Sequence, residues 1–269
     1  LAPNLFVLSD DTRGDGIKTW DLNNGTSYGG ASLFEDSDNY WNNFNAQQDE
    51  VATDAHWGAA QTYDYLLNEH NRNSIDGQGF ELNSYVHYDF NFVNAFWDGS
   101  RMTYGDGQGN VTALTALDIT GHEIAHGLTE RSANLIYSYE SGALNESFSD
   151  IFGTAIEFYA KPQDANWLVG DEIRLTLRSM SNPGQYGDPN CYLGSNWHTD
   201  ASDNGGVHIN SGVQNFWFYL LVNGGSATND LGDAYTVQAL GMTKAAEIAF
   251  RNLTVYLSPS SQFMDARNF

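Results

Sequence analysis

The run His122-Glu123-Ile124-Ala125-His126 constrains this chain more than any other stretch. Two imidazoles four residues apart share a face only in a helix, where they stand about one turn apart. Glu123 then lies about 100° round the axis, beside that face, placed to act as a base and not as a ligand. Two neutral nitrogen ligands, an adjacent carboxylate and an open coordination position are what a hydrolytic zinc ion requires. The plainer reading is an amphipathic helix with two incidental histidines.

Zinc needs a third protein ligand, and Asn145-Glu146-Ser147-Phe148-Ser149-Asp150 offers one. Glu146 and Asp150 are also four apart and share a face of a second helix. The pattern predicts that helix over Ala143 to Ala160, after a glycine-containing break at Ser141-Gly142 and before Pro162. If the two helices pack side by side, Glu146 reaches the metal, and Asp150 and Asn145 accept hydrogen bonds from the imidazoles. Without a metal, Glu146 is an ordinary acidic residue favoured by a helix dipole.

The 269 residues suffice for one large domain or two ordinary ones with ample core. Acidic residues number 34 against 11 basic, a net charge of -23, which argues against nucleic acid and anionic membranes as partners. Such carboxylates either hold hard cations such as calcium or keep the surface hydrated. Cys191 stands alone, so no internal disulfide forms and metals would have to brace the fold. No run of 18 apolar residues spans a membrane, and no signal peptide begins the chain. A secreted form is expected to have lost its leader and prosegment.

Taken in order, residues 1–48 read as short strands and turns. There Asp36 and Asp38, followed by Tyr40, make a loop suited either to calcium or to a solvated turn. Residues 49–71 read as a helix capped by Asp49, with Ala55, Ala59, Tyr63, Leu66 and Leu67 at helical spacing. Ser84–Phe92 and Phe96–Tyr104 read as strands, 113–131 as the metal-binding helix, and Gln163 to Asn210 as loop. Helical stretches follow at Ser211–Val222, at Thr243–Leu257 and from Ser260. His56, His70, His87 and His198 are read as structural.

Further stretches carry a resemblance. Asp11 to Gly16, Asn94-Ala95-Phe96-Trp97, Gly142 to Glu146 through Asp150 to Gly153, Leu177 to Met180 and Asp203 to His208 recur in this order around the zinc motif. With them the chain resembles the thermolysin-like secreted metallopeptidases of the gluzincin group. The resemblance implies an α+β, two-lobed fold: a strand-rich N-terminal lobe over 1–132, containing the zinc-binding helix at the cleft floor, and a mainly helical C-terminal lobe over 133–269. It implies one catalytic zinc on His122, His126 and Glu146, with Glu123 as base and proton shuttle. Tyr137 and His208 are the implied oxyanion donors, with Asp203 orienting His208. Asn94, the carbonyl of Ala95 and Arg178 are implied to hold the substrate, and Trp97 to line the cleft. Leu177, Ile119, Val169 and Leu114 are expected to wall the first pocket on the leaving-group side.

The same resemblance places a main calcium site at Asp118, Glu157 and Asp171, with Asp164 nearby and the carbonyl of Leu168. A second, peripheral site falls at Asp36, Asp38 and Tyr40. Asn166 and Leu168 stand where thermolysin has acidic residues, and the Asp171–Arg178 tract is shorter, so one or two calcium ions are expected. The family's first edge strands and last helices have no counterpart between Leu1 and Phe269, so the helical lobe is expected to lack its last helices. The expected protein is a secreted monomeric endopeptidase acting on proteins and peptides and made with a prosegment. The alternatives are an aminopeptidase on the same motif and an inactive binding protein on this scaffold.

Overall fold

A computed structural model of the protein describes residues 5–41 and 49–268. The N-terminal part is strand-rich. Strands β1 (Phe6–Val7), β2 (Ser9–Asp10), β3 (Ile17–Asp21), β4 (Ser32–Leu33) and β5 (Glu35–Asp36) precede a long helix, α1 (Asp49–His70). Strands β6 (Leu82–Val86), β7 (Ala95–Trp97) and β8 (Met102–Tyr104) lead to α2 (Leu117–Glu130). The main sheet runs β2-β3-β6-β8-β7, with β4 beside β3. Pairs β3–β6 and β6–β8 are parallel, and β7 hangs antiparallel on β8 as the last strand. One edge of β7 therefore carries no strand among the described residues.

The C-terminal part is helical. It begins with α3 (Tyr139–Ala160), continues through the small hairpin β9 (Leu168–Val169) and β10 (Arg178–Ser179), and reaches α4 (Asp203–Asn210) and α5 (Gly212–Asn223). A second hairpin, β11 (Gly225–Thr228) and β12 (Ala234–Val237), precedes α6 (Met242–Arg251) and α7 (Phe263–Asn268). No helix among the described residues is long and apolar enough to cross a membrane.

One contact sets the site. At the crossing of α2 and α3, Gly121 faces Gly153, and a Cβ on Gly153 would come within 2.4 Å of the Asp118 carbonyl oxygen. Only glycine lets these backbones approach so closely. Ile124, Leu128, Phe148, Phe152 and Ile156 close the core around the crossing, all 1% exposed or less. Two helices that long and that near put a side chain of one within reach of two on the other.

Several boundaries differ from the sequence reading. The strand expected at Ser84–Phe92 ends at Val86, because His87, Asp89 and Asn91 take positive φ of 56°, 57° and 55°. Phe96–Tyr104 is two strands, not one: the Asp98 carboxylate accepts the backbone N–H groups of Ser100 and Arg101 and turns the chain there. The metal-binding helix starts at Leu117, since the Leu114 N–H is held by Gly105 O at 3.0 Å. The expected break at Ser141-Gly142 is absent, and α3 runs through it. Gly142 serves instead for close approach, as a Cβ there would meet Val207 Cγ1 at 2.4 Å. Asp49 does not cap α1; it is the first helical residue, 1% exposed, and neither carboxylate oxygen has a hydrogen-bond partner. The tract from Gln163 to Asn210 holds the β9–β10 hairpin and α4, and the stretch expected at Thr243–Leu257 is α6 followed by a π-helical turn, Asn252–Tyr256.

Candidate metal centre and its cleft

On α2, His122 and His126 project from one face with their Nε2 atoms 3.1 Å apart. From α3, Glu146 brings Oε2 to 3.5 Å from His122 Nε2 and Oε1 to 3.4 Å from His126 Nε2. A tetrahedral zinc with bonds of about 2.0–2.1 Å sets its ligand atoms roughly 3.3 Å apart. The triangle fits that size. Among the described residues, it is the group of three such side chains whose ligand atoms lie within 4.8 Å of one another. Glu146 is 1% exposed and its Oε2 has no hydrogen-bond partner, a buried acceptor that a bound cation would satisfy.

The outer nitrogens are held. His122 Nδ1 donates to Asp150 Oδ1 at 2.9 Å, and His126 Nδ1 to Asn145 Oδ1 at 2.8 Å, so both rings turn Nε2 inward. The Asn145 amide is itself oriented by donating to Leu135 O at 3.2 Å. Both acceptors were legible from spacing. Residues that spacing missed complete the set. Arg178 donates from Nε and a terminal nitrogen to Asp150 at 2.8 and 2.7 Å, Asn215 donates to the same carboxylate at 2.7 Å, and Ser149 Oγ lies 3.1 Å from His126 Nδ1. Burial pushes His122 down, but the hydrogen bonds and charges of Asp150 and Glu146 outweigh it and raise the metal-free imidazole to about 10. So much negative charge around the two rings calls for a cation.

Tyr137 and His208 face the triangle from its open side. The Tyr137 hydroxyl donates to Glu146 Oε1 and lies 3.2 Å from His208 Nε2. Burial, then the charges of Glu146, Glu123 and Asp203, hold that phenol protonated far above its usual range, so it remains a donor. His208 is oriented by Asp203, whose Oδ1 accepts from Nδ1 at 2.6 Å and Oδ2 from the backbone N–H at 2.9 Å. The chain achieves this by a left-handed run, Asp203, Asn204, Gly205 and Gly206, that folds the carboxylate back toward the helix it starts. His198 packs on this turn, where a Gly206 Cβ would meet it at 2.5 Å, and exchanges hydrogen bonds with Asn210.

The triangle lies in a cleft of ≈ 680 Å³. Asn94 lines it just before β7, Ala95 and Trp97 from β7, Ile119 and Glu123 from α2, and Leu177 and Arg178 at the start of β10. Leu114 and Val169 are buried and do not line it. Phe96 lines it too, and Glu130, Asn134 and Leu135 line it without having been singled out in the sequence; Glu130 accepts the Trp97 indole N–H at 2.8 Å. Asp188, also missed, is 6% exposed; burial first, then Asp150, push it up to about 7 against the pull of Arg178 and His208.

The acids expected to hold calcium divide. Asp118 and Glu157 are buried, and Glu157 is pushed up to about 8 by burial, then by the charges of Asp118, Glu172 and Asp171. Asp118 reaches about 6, raised by burial although its oxygens accept the Ile119 and Gly170 N–H groups. Glu172 adds negative charge nearby but is exposed and paired through both oxygens with Lys161 at 2.9 Å, and Asp164 is exposed as well. Asp171 accepts from Asn166, and Leu168 pairs with Ser179 in the hairpin beside it. In the N-terminal loop, Asp36 accepts from the N–H groups of Asp38 and Asn39, and Asp38 from that of Tyr40, as a self-contained turn does.

Residues 2–130 match the family model described as thermolysin metallopeptidase, catalytic domain, and residues 133–269 match the thermolysin metallopeptidase alpha-helical domain. The chain is 46% identical to bacillolysin of Bacillus cereus, over 99% of this chain and 46% of that protein. It is 44% identical to a thermolysin of Alicyclobacillus acidocaldarius subsp. acidocaldarius, over 97% of this chain and 47% of that one. It thus spans about half the length of these relatives. Among solved structures, the precursor of protealysin, a metalloproteinase from Serratia proteamaculans, matches with a TM-score of 0.74 and 31% identity, covering 94% of this chain and 79% of that one.

Proposed function

The chain belongs to the thermolysin metallopeptidase family, and from that premise we propose that it is a zinc endopeptidase cutting on the N-terminal side of bulky hydrophobic residues. One observation carries the reading. Three ligand atoms at zinc-like spacing, their outer hydrogen bonds made, face a cleft that is open along a strand edge, with Glu123 beside them.

His122, His126 and Glu146 would hold the ion. When bound, zinc would supply Lewis acidity, polarising the scissile carbonyl and making water nucleophilic near neutral pH. Glu123, 8% exposed and adjacent to His122, takes the proton that the attacking water loses and delivers it to the amine as the C–N bond breaks. Tyr137 and His208 donate to the oxygen that gains charge, and one such donor is typically worth about 3–4 kcal/mol. Asp203 keeps the proton on His208 Nδ1 and fixes the ring's aim. A substrate adds as a strand along the free edge of β7, where Asn94 and the carbonyl of Ala95 engage its backbone. Arg178, two of its nitrogens committed to Asp150, turns its remaining edge to a substrate carbonyl. Ile119 and Leu177 wall the pocket after the cut bond, with Leu114 and Val169 packed behind.

Asp118, Glu157 and Asp171, with Asp164 nearby and the carbonyl of Leu168, would bind one structural calcium; without a cation the buried carboxylates of Asp118 and Glu157 repel. The Asp36–Asp38 turn is the place for a second ion. The protein acts as a secreted monomer on proteins and peptides after losing a prosegment; the similarity to a protealysin precursor supports that last point. Neither an aminopeptidase nor an inactive scaffold is favoured by any feature of the cleft.

The test is Glu123→Gln, which keeps the side chain's shape but cannot take a proton. Zinc content should stay at one per chain while kcat falls by about 10²–10⁴. Retention of a tenth of the activity would contradict the assignment.

A further inference from the structure

Helix α2 keeps one more charged side chain on its metal-binding face. His122, His126 and Glu130 follow one another at four-residue steps, so Glu130 stands one further turn along the same face. It lines the cleft together with Trp97, whose indole N–H its Oε2 accepts at 2.8 Å. That bond asks only for an acceptor, which a neutral amide would supply equally well. Helix stability does not ask for the charge either: Glu130 is the last residue of α2, where the negative end of the helix dipole disfavours a carboxylate. Nor does a neighbour consume it. Arg131 brings a terminal nitrogen only to 3.8 Å of Oε1, too far for a hydrogen bond. Its guanidinium is held elsewhere, by Gly99 O at 3.1 Å and over the Phe80 ring at 5.3 Å. The Glu130 side chain stays 35% exposed, a charged acceptor open to whatever fills the cleft.

The helix face also fixes the position. Ile119, one turn before His122, walls the pocket after the cut bond in the reading above, so Glu130 lies across the metal from it, on the side before the cut. From the midpoint of the two histidines it is about 9 Å along the axis, at about 1.5 Å per residue. An extended substrate rising about 3.3 Å per residue covers that distance with its second or third residue before the cut. Alternation selects the second. In a strand it points to the same side as the residue just after the cut, whose side chain faces Ile119 on α2, whereas the third points away. A lysine or arginine there has the flexible reach to meet the carboxylate.

We propose that Glu130 is a specificity residue that selects Lys or Arg at the second position before the cut bond. The inference rests on the endopeptidase reading and refines its substrate. The test uses the zinc-loaded chain and two ten-residue peptides of identical composition, each with one cut site before Leu. One carries Lys second before the cut and Gln at its far end; the other has these two exchanged, so the net charge of -23 attracts both equally. At low salt the first should be cleaved with kcat/KM about fivefold higher, the upper range for a partly exposed ion pair. The ratio should shrink at about 1 M salt, where such a pair is screened. Glu130→Gln, which keeps the acceptor for Trp97, should bring the ratio near one. A ratio near one in the unaltered protein, or an unchanged ratio in the variant, would overturn the proposal. If neither peptide is cut, the endopeptidase reading fails instead. Calorimetric binding to Glu123→Gln then decides the subsite: the first peptide binds several-fold tighter and loses that margin when Glu130→Gln is added, or the subsite does not exist.

Discussion

Asp150→Asn separates the support of the metal centre from the centre itself. Asp150 is 1% exposed and accepts four hydrogen bonds, from His122, twice from Arg178 and from Asn215. Asparagine keeps the shape but turns an amide donor toward donors and leaves the buried Arg178 guanidinium uncompensated. Breaking a buried pair in this way costs about 3–5 kcal/mol. For a domain of this size, that lowers the melting temperature by on the order of 10 °C. His122 also loses the acceptor that fixes its tautomer, which costs about 10–100-fold in metal affinity. Both effects should be read in a Glu123→Gln background, which suppresses self-digestion. Thermal unfolding of the zinc-free chain gives the first, and competition with a zinc chelator gives the second. A zinc-free melting temperature within 2 °C of the parent, with unchanged zinc affinity, would refute the role given to Asp150.

Two other outcomes follow. Removing calcium with a selective chelator should lower thermal stability and promote self-digestion while zinc stays bound; a melting temperature indifferent to millimolar calcium would refute the site at Asp118, Glu157 and Asp171. His70, stacked on Phe250 at 4.1 Å, is held down to about 4 by burial, so the unfolded chain binds more protons between roughly pH 4 and 6.5. Its share of stability is complete above that window and is lost as pH falls through it, and His70→Phe should flatten this part of the stability–pH curve, measured by denaturant unfolding.

The centre was legible because its parts are spaced by one turn within single helices: His122 and His126 on one, Glu146 and Asp150 on the other. Helical geometry alone makes such pairs neighbours. What sequence left unread depends on contacts between distant segments. Arg178 meets Asp150 across 28 residues, and Asn215 meets it across 65. Glu172 meets Lys161 across 11 residues from a short helical turn that no periodicity marks. The aromatic run from Phe96 to Tyr104 looks continuous, yet Asp98 and Gly99 fold it into the hairpin whose outer strand borders the cleft. Gly142 reads as a helix breaker unless Val207 is known to press against it.

The most direct measurement is a digest of a denatured protein by the zinc-loaded chain, with every cut mapped by mass spectrometry and compared with Glu123→Gln. Internal cuts should predominate, with Leu, Phe, Ile or Val immediately after the cut bond. Each buried methylene contributes about 0.8 kcal/mol, so Leu should exceed Ala there by one to two orders of magnitude. The variant should leave the substrate whole. Cuts preceding Lys, Arg or Asp, release of terminal residues alone, or an unchanged pattern from the variant would contradict the account.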